Sequence, residues 1–410
     1  MEKIRLGLVG CGGMGTRHLY GLRELAQTPF NKVELAALCD IRRENAELAA
    51  GEAEQLLGFR PEIFTDLEEM VRRVPELRAV DVVTDPSTHH TVVCQALELG
   101  LHVLVEKPMA ITVKGCQRMI ETAARHGCLV SVAENYRRDP SARLVRHLLE
   151  KGAIGRPYLA WLHALSGGNA IFITPWRHLK ERGGPILDMG VHYSDLIRYQ
   201  LGDIQEVCGQ VWLAEPVRVK PEKIGDPYTF YQKRFADMEA VVPATAEDTS
   251  LALLKMASGA VVNWMVGAGG QGACYGEAIL GDQGSIPTFG TRGGRAVWRP
   301  AGREEMSHEA ILEASGGFAL EPLAAHFFPD RIAAGQTDWK LIALEVHELA
   351  EAILHGRCLE VDGTEGMKDV AAIYAIFESC RAGRPVRMAE VESGQVCGYQ
   401  AQIDAALGIG

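Results

Sequence analysis

Three side chains in this sequence have types and spacings suited to acid–base chemistry. Asp188 and His192 are four residues apart, so on a helix they would share one face. A carboxylate beside an imidazole can tune the histidine toward neutral pH. Lys107 stands between Glu106 and Pro108, and the proline would present it from a stiff turn. The alternatives are an ordinary helix surface for the Asp–His pair and a plain surface lysine.

The first element that could position such chemistry is a glycine-rich turn near the N-terminus. An apolar strand is predicted over residues 3–9, and a helix over residues 14–26. Between them runs a GxGxxG pattern, in which the first glycine permits a tight turn, the second lets the backbone approach a pyrophosphate, and the third lets the helix pack close to the strand. The alternative is an ordinary glycine turn. The predicted phosphate-binding residues are Gly10, Gly12, Gly13, Met14 and Gly15.

A second strand, predicted over residues 33–39, ends at an acidic residue. Asp40 stands where this kind of fold places a carboxylate on the ribose hydroxyls of adenosine. That arrangement favours NAD, because the carboxylate would repel the 2′-phosphate of NADP. Arg42 and Arg43 could instead hold that phosphate, so NADP stays open. Asp40 could also cap the next helix.

Two further predicted strands, over residues 79–83 and 102–105, end in polar residues at the edge where open α/β sheets bind ligands. A helix is expected over residues 91–99. Neighbouring residues on a helix point to different faces, so we interpret Thr88 and His89 as caps of this helix near the cofactor rather than as metal ligands. The cofactor-binding residues predicted from these two loops are Asp85, Ser87, Thr88, His89, Glu106 and Lys107.

A strand over residues 128–133 is expected to close the nucleotide-binding domain, and a helix over residues 139–151 to lead out of it. Asn135, Tyr136 and Arg137 follow that strand and could line the nicotinamide or the substrate. The alternative is a solvated arginine pair formed with Arg138. We predict one domain over residues 1–137 and a second, for substrate binding and oligomerisation, over residues 138–410, with terminal helices that could pack back on the first.

The second half of the chain has the spacing of an antiparallel sheet, with glycine-containing turns between strands. Trp176 and Arg177 suit sugar recognition, through stacking on an apolar ring face and a charged donor, although a core tryptophan is the alternative. Two polar interruptions are interpreted as long loops that shape a pocket or contact a neighbouring subunit: residues 215–247, with Tyr228, Phe230 and Tyr231, and residues 285–315. Strands are predicted over 158–165, 206–213, 249–256, 260–266 and 273–280, and helices over 341–354 and 367–380.

The composition describes a globular protein with ample core. The 410 residues are 47% hydrophobic and carry a formal net charge of −11. Without a basic run, this charge argues against nucleic acid or an anionic membrane as partner. We see no membrane span and no signal peptide, and expect a cytoplasmic protein. Scattered cysteines such as Cys39, Cys94 and Cys208 are interpreted as reduced core thiols, and no metal is expected.

Together these motifs resemble the Gfo/Idh/MocA family, named after glucose–fructose oxidoreductase, inositol dehydrogenase and rhizopine catabolism. The resemblance implies an α/β fold, with an N-terminal Rossmann domain and a C-terminal α+β domain that has a large open, mostly antiparallel sheet. It also implies NAD(P)-dependent hydride transfer on a sugar, polyol or related alcohol. It maps catalysis onto Lys107, Asp188 and His192. The motifs that carry it are GxGxxG, the Thr88–His89 loop, Glu106–Pro108, residues 133–138 and residues 183–192.

On this interpretation His192 removes the hydroxyl proton, Lys107 stabilises the charge on oxygen, and Asp188 orients His192 or a second hydroxyl. One alternative is an NAD-recycling glycosidase or lyase that oxidises its sugar transiently. Another is a non-catalytic dinucleotide-binding regulator, which would not need the proton-transfer set. An apolar sheet face without helices to cover it predicts a homodimer or homotetramer. The predicted substrate-binding residues are Lys107, Tyr136, Arg137, Trp176, Arg177, Asp188 and His192.

Overall fold

The computed structural model describes residues 2–223, 229–270, 272–314, 317–333 and 337–409. The chain divides into two compact units. Unit 1 comprises Met1–Glu134, Lys220–Ala240 and Asp338–Met367, and unit 2 comprises Asn135–Val219, Val241–Thr337 and Lys368–Gly410. The first segment of unit 1 thus ends at Glu134, close to the boundary predicted after residue 137.

Unit 1 is built on a six-stranded parallel sheet in the order β3-β2-β1-β4-β5-β6. β1 therefore lies at the centre, where the direction of strand order reverses and where such sheets bind ligands. The central strands β1 and β4 are largely buried and mostly apolar, and the exceptions are the half-buried Arg5 and Arg78 and the fully buried Asp81. The predicted Rossmann fold is confirmed. Its elements are β1 Ile4–Val9, α1 Gly13–Ala26, β2 Val33–Cys39, α2 Arg43–Leu57, β3 Glu62–Phe64, α3 Leu67–Arg73, β4 Leu77–Val82, α4 His89–Glu98, β5 His102–Glu106, α5 Val113–His126 and β6 Val130–Ala133.

The elements after residue 134 belong mainly to unit 2, while α8 and α11 belong to unit 1. The helix predicted over residues 139–151 is confirmed as α6, and both tail helices are confirmed as α11 and α12. In chain order the elements are α6 Pro140–Glu150, β7 Pro157–Leu165, α7 Gly184–Leu201, β8 Ile204–Trp212, β9 Val217–Val219, α8 Thr229–Ala236, β10 Val241–Pro243, β11 Thr249–Met256, β12 Val261–Gly267, β13 Cys274–Gly281, β14 Gly284–Ile286, β15 Arg299–Pro300, α9 His308–Ala314, α10 Pro322–Phe327, α11 Asp338–His355, α12 Gly363–Ala382, β16 Val386–Arg387, α13 Met388–Glu392 and α14 Gln400–Leu407.

Unit 1 is completed by α11, which packs on α1. Trp339 stacks on Tyr20 with ring centroids 4.5 Å apart. Gly21 faces Ile342 so closely that a Cβ on the glycine would overlap the isoleucine side chain. A small residue on α1 therefore lets the two helices approach, and the distant segment becomes part of the nucleotide-binding unit.

Unit 2 contains an eight-stranded sheet in the order β15-β14-β13-β7-β12-β11-β8-β16. β7 and β12 pair in parallel and the other neighbours pair antiparallel, which confirms a mostly antiparallel sheet. Side chains alternate between two faces. One face packs under α7 and α12, where Gly190 and Gly209 touch Ile373 and Ile376. The opposite face leaves leucines exposed on β11, with Leu253 at 50%.

Two expectations from the sequence are corrected. The polar interruptions contain regular structure: β9, α8 and β10 lie within residues 215–247, while β15 and α9 lie within 285–315. Short elements of this kind depend on tertiary packing, which no local pattern reveals. Cys39 and Cys94 are buried thiols as expected, but Cys208 is exposed because it lies on the outer face of β8. Tyr228 lies outside the described residues.

Candidate active site

The glycine-rich loop joins β1 to α1 at the ligand-binding edge of the unit 1 sheet. Gly10 has φ +100°, and a Cβ there would overlap the carbonyl of Val83. A Cβ on Gly15 would overlap the carbonyl oxygen of Gly10, so only glycine lets α1 approach β1 here. The first N–H groups of α1 have no partner within the helix and can bind phosphate. Of the five predicted cradle residues, Gly10 and Gly12 lie in this loop, and Gly13, Met14 and Gly15 are the first three residues of α1.

Asp40 directly follows β2 and is bonded to the glycine-rich loop. The N–H of Cys11 donates to its Oδ2 at 2.9 Å, and the N–H of Arg42 donates to its Oδ1 at 2.8 Å. The alternative that Asp40 caps the next helix is wrong, because the N-cap of α2 is Arg42. Arg42 and Arg43 are exposed, and Arg43 pairs with Glu47 at 3.4 Å. The carboxylate therefore braces the loop at the position that holds adenosine ribose in such folds.

The loop after β4 is tied by its own side chains. Asp85 accepts the N–H of Ser87 at 3.0 Å and its hydroxyl at 2.7 Å, and Thr88 donates its hydroxyl to the Asp85 carbonyl at 2.8 Å. The capping role predicted for Thr88 and His89 is corrected: Thr88 stands at the N-cap position but makes no side-chain cap bond, and His89 is already the first residue of α4. His89 is buried instead, with Nδ1 3.0 Å from the carbonyl oxygen of Pro108.

A histidine that the sequence analysis did not single out lies behind the Glu106–Lys107 motif. His18 on α1 places Nδ1 2.7 Å from Asp81 Oδ2 and Nε2 3.2 Å from Glu106 Oε1. Burial opposes protonation of His18, but the two carboxylates outweigh it and raise its pKa well above the ordinary value. The feature of the sequence that could have pointed to His18 is its position three residues after Gly15, on the buried face of α1. Lys107 follows at the end of β5 and is half-buried.

Two aromatic residues of α8 lie over the glycine-rich loop. Tyr231 is only 5% exposed, and a Cβ on Gly13 would overlap its ring. A Cβ on Gly12 would lie 3.5 Å from Phe230. The guanidinium of Arg17 is 5.6 Å from the centre of the Tyr231 ring. Both aromatic residues, assigned by the sequence only to a long loop, therefore border the predicted phosphate cradle.

In unit 2, a glycine turn starts α7 and sets the position of Asp188. Gly183 and Gly184 have φ +98° and +74°, a conformation that favours glycine. The buried Asp188 accepts a hydrogen bond from Arg177 Nε at 2.9 Å. The Arg177 guanidinium in turn lies 4.3 Å from the ring centre of Trp176. The structure thus brings three predicted substrate-binding residues into one cluster, and the half-buried Trp176 is not a core residue.

His192 and Tyr136, both predicted site residues, form a second contact on the same helix. Their rings are stacked, with centroids 4.2 Å apart and planes 9° apart. Tyr193 meets the Tyr136 ring edge-on at 5.8 Å, and burial together with Tyr136 raises the pKa of Tyr193. Arg292, which the sequence analysis missed, places its guanidinium 5.4 Å from the Tyr136 ring centre. The only feature of the sequence that pointed to Arg292 was its position within the polar segment 285–315.

Arg137 forms a buried ion pair that ties the turn after β6 to α7. Its Nε donates to both carboxylate oxygens of Asp195, at 3.0 and 2.9 Å. The alternative of a solvated arginine pair is wrong, because Arg137 and Arg138 are 6% and 4% exposed. Asn135 is half-buried at the start of the same turn, and its buried Oδ1 has no hydrogen-bond partner among the described residues.

Across the described ranges there is no group of three or more His, Cys, Asp or Glu side chains arranged to hold a metal ion. Every helix within those ranges is too short or too polar to cross a membrane.

Comparison with known proteins agrees with this geometry. The family model for the NAD-binding Rossmann fold of the Gfo/Idh/MocA oxidoreductases matches residues 4–134, and the model for a C-terminal domain of the same family matches residues 142–287. D-apiose dehydrogenase from Paraburkholderia graminis is 24% identical over 96% of this chain and 92% of its own. Levoglucosan dehydrogenase from Pseudarthrobacter phenanthrenivorans is 28% identical over 92% of this chain and 96% of its own.

A solved structure of levoglucosan dehydrogenase in complex with NADH and L-sorbose has the same fold. It superimposes with a TM-score of 0.73 at 22% identity and covers 94% of this chain and 99% of the other. The two family models together span well over half of the sequence, and they coincide with the glycine-rich loop in unit 1 and with the α7 cluster in unit 2. The chain therefore belongs to the Gfo/Idh/MocA family of oxidoreductases, and its N-terminal region is an NAD-binding Rossmann domain.

Proposed function

We propose that the protein is an NAD-dependent dehydrogenase that oxidises a hydroxyl-bearing carbon of a sugar or polyol. The observation that carries the proposal is the cluster on α7, where His192 stacks on Tyr136 and Asp188 pairs with Arg177. Such a site combines a base, an anion and flat aromatic surfaces, which suits a polyhydroxylated ring. The names of the two relatives, which are dehydrogenases of sugars or sugar derivatives, support it. They also favour net oxidation over the cofactor-recycling alternative.

The residues of unit 1 fit a bound dinucleotide. The close approach of Gly10 and Gly15 brings β1 to the first N–H groups of α1, which suit a pyrophosphate, and Asp40 suits a ribose. Asn135, the first residue of unit 2, stays a proposed cofactor-binding residue. Its buried Oδ1, which has no hydrogen-bond partner among the described residues, suits an amide donor such as that of nicotinamide. When bound, the nicotinamide supplies the hydride acceptor. The other residues assigned to the cofactor are Gly12, Gly13, Met14, Arg42, Asp85, Ser87, Thr88, His89, Glu106 and Lys107.

In the proposed reaction, His192 takes the proton of the substrate hydroxyl. Its stack on Tyr136 restricts rotation of the imidazole, which fixes the directions in which its two ring nitrogens point. Lys107 stabilises the negative charge that develops on the substrate oxygen, a contribution of ~2.7 to 4 kcal/mol for a preorganised donor. Asp188, held by Arg177, orients a hydroxyl group or His192.

Substrate selectivity is assigned to the aromatic and arginine side chains around α7. Trp176 and Tyr136 offer faces to the apolar side of a sugar ring, while Arg177 supplies a charged donor. Arg137 stays a proposed substrate-binding residue, but its buried pairing with Asp195 supports a second role in fixing the position of Tyr136.

The experiment is a panel of D-apiose, levoglucosan, inositols, aldoses and glycosides, with NAD, followed by NADH absorbance. We expect NADH to accumulate with at least one of them. Activity should be lost in His192→Ala and partly recovered as pH rises, because the hydroxyl then needs no protein base. His126→Ala, at the exposed last residue of α5, is the matched control and should keep activity. Product formation without NADH would instead support the recycling glycosidase or lyase.

We also propose a homodimer or homotetramer that packs through the open sheet face of unit 2. Adjacent strands carry exposed apolar side chains on that face, and an uncovered apolar sheet usually marks an interface. We define the open sheet face by Leu159, Trp212, Leu251, Leu253 and Val261.

A cytoplasmic location is proposed as well, because Cys11, Cys39 and Cys94 are buried thiols that form no disulfide. Division into domains over residues 1–137 and 138–410 stays a prediction. Limited proteolysis would test it: two separately stable fragments after a cut near residue 137 would support this division, whereas fragments that stay associated would support a first domain that includes residues 220–240 and 338–367.

A further inference from the structure

Three ionisable side chains from three elements meet in the interior of unit 1. His18 comes from α1, Asp81 from β4 and Glu106 from β5, and they are 0%, 0% and 7% exposed. The imidazole faces a carboxylate oxygen with each nitrogen, at 2.7 Å on Asp81 and 3.2 Å on Glu106. Bonds to two carboxylates need both ring nitrogens to donate, so this cluster requires the imidazolium form.

Such a cluster is costly to bury. Each ion loses its hydration on burial, and a protein in which well-packed apolar side chains of similar volume replace the ions is often equally stable. Stability alone is therefore a weak reason for three ionisable groups at this position. Hydrogen bonds have fixed directions, which apolar contacts lack. A histidine that bridges two carboxylates can therefore hold the end of one strand at a defined distance from a helix and from the neighbouring strand.

The strand end held in this way is the one that precedes the proposed catalytic lysine. Glu106 is the last residue of β5, and Lys107 follows it directly. On the other side, the carbonyl of Pro108 lies 3.0 Å from Nδ1 of the buried His89. The second nitrogen of His89 is 3.2 Å from the carbonyl of Thr84. Both sequence neighbours of Lys107 are thus held by buried histidines.

We propose that His18 is a positioning residue for Lys107: by bridging Asp81 and Glu106 it fixes the end of β5 and so the location from which the lysine meets the substrate oxygen. The inference rests on the catalytic role proposed for Lys107. It extends that role to a side chain that touches neither substrate nor the reacting atoms. A displacement of about 1 Å in a catalytic group can cost about 10²-fold in rate, so a bridge of this kind would matter to turnover.

The test substitutes His18→Gln, which removes the cation and cannot reproduce the imidazole's pair of opposed donors. The first readout needs no substrate: lysines are labelled by reductive ¹³C-methylation, the Lys107 signal is identified by its loss in Lys107→Arg, and its chemical shift is followed by NMR. The second readout is kcat and KM on the sugar that forms NADH fastest in the panel above. The third is the Kd for NADH, measured by fluorescence.

We expect the Lys107 signal to move or broaden in His18→Gln, and kcat to fall at least tenfold while the Kd for NADH stays within threefold. His102→Gln is the matched control, because His102 lies on the same strand and accepts the N–H of Leu129 at 3.0 Å. A general loss of stability would lower the melting temperature in both variants without moving the Lys107 signal. If His18→Gln fails to fold, Asp81→Asn keeps the side-chain shape and should show the same changes at smaller size.

An unchanged Lys107 signal together with unchanged kcat would overturn the inference. If instead the signal moves in His18→Gln while Lys107→Met keeps full turnover, the positioning role stands and the catalytic role of Lys107 fails. The two proposals can therefore be separated.

Discussion

The imidazole of His192 lies flat against the phenol ring of Tyr136, with planes 9° apart and centroids at 4.2 Å. Tyr136 belongs to a short turn that Arg137 ties to α7 through its buried pair with Asp195. His192 is on α7, so both rings are attached to backbone that is itself held in place. The proposed base is therefore oriented before any substrate arrives.

The first prediction follows from this stack. Tyr136→Leu should lower kcat/KM by roughly 2- to 10-fold, because an aromatic pair contributes ~0.5 to 1.5 kcal/mol beyond its burial. Tyr136→Phe keeps the ring and should stay closer to the unmodified enzyme, apart from the lost contact of its hydroxyl with Tyr193. Steady-state kinetics on the best panel sugar measure both. Equal losses in the two variants would show that the hydroxyl matters and the stack does not.

The second prediction concerns the choice between NAD and NADP. NADH should bind at least tenfold more tightly than NADPH, because Asp40 would repel a 2′-phosphate beside it. Asp40→Asn keeps an acceptor for the N–H of Cys11 but removes the charge. It should therefore reduce the ratio of the Kd for NADPH to the Kd for NADH, mainly by strengthening NADPH binding. Fluorescence titration gives both values of Kd. Tighter binding of NADPH by the unmodified protein would assign the site to Arg42 and Arg43 instead.

The features that could be predicted from the sequence are those encoded by local spacing. The GxGxxG loop, the apolar strands around it and the helical spacing of Asp188 and His192 each lie within a short window, and all are present as expected. Strand alternation likewise located β11 to the residue.

The features that escaped prediction depend on contacts between distant residues. His18 meets Glu106 across 88 positions, and no local pattern pairs them. The ion pair of Arg137 with Asp195 spans 58 positions, which is why two buried arginines could be mistaken for solvated ones. The short helix α8 was missed for the same reason, since Tyr231 is buried against Gly13 rather than against its own neighbours.

The third prediction tests the open sheet face. Leu253→Lys should convert the proposed oligomer into a monomer, because Leu253 is 50% exposed at the middle of β11 and a buried ammonium there would lose its hydration. Leu48→Lys is the matched control, since Leu48 is 43% exposed on α2. Light scattering coupled to size exclusion measures the mass. A monomeric unmodified protein at micromolar concentration would contradict the proposal at once.

The fourth prediction uses Asp139, the N-cap of α6, which accepts the N–H groups of Ser141 and Gly293. Burial raises the pKa of Asp139 to about 6, and these two donors offset only part of the effect. An unfolded aspartate titrates near ~3.9, so folding takes up a proton between about pH 4 and pH 6. The contribution of this group to stability must therefore fall as pH rises through that window, by at most ~1.4 kcal/mol per pH unit.

Asp139→Asn removes this titration. The melting temperature of the variant, relative to that of the unmodified protein, should therefore be higher at pH 7 than at pH 4.5. This change with pH is expected whatever the size of the difference at either pH. Asp330→Asn, at an exposed position, is the matched control for loss of a carboxylate at the surface. A difference for Asp139→Asn that does not change with pH would mean that this carboxyl does not titrate in the window.

The last prediction is that Lys107 contributes to the chemical step far more than to folding or cofactor affinity. Lys107→Met should lower kcat and kcat/KM together by at least ~10²-fold, the low end for loss of one donor to a developing oxyanion. Methionine keeps much of the apolar stem, so the melting temperature and the Kd for NADH should stay close to those of the unmodified protein. Lys114→Met, at an exposed position in the first turn of α5, is the matched control and should leave all four quantities unchanged. Near-full turnover of Lys107→Met on the true substrate would mean that the Glu106–Pro108 segment is only a stiff turn. The catalytic roles proposed for Asp188 and His192, which depend on Lys107, would then be contradicted as well.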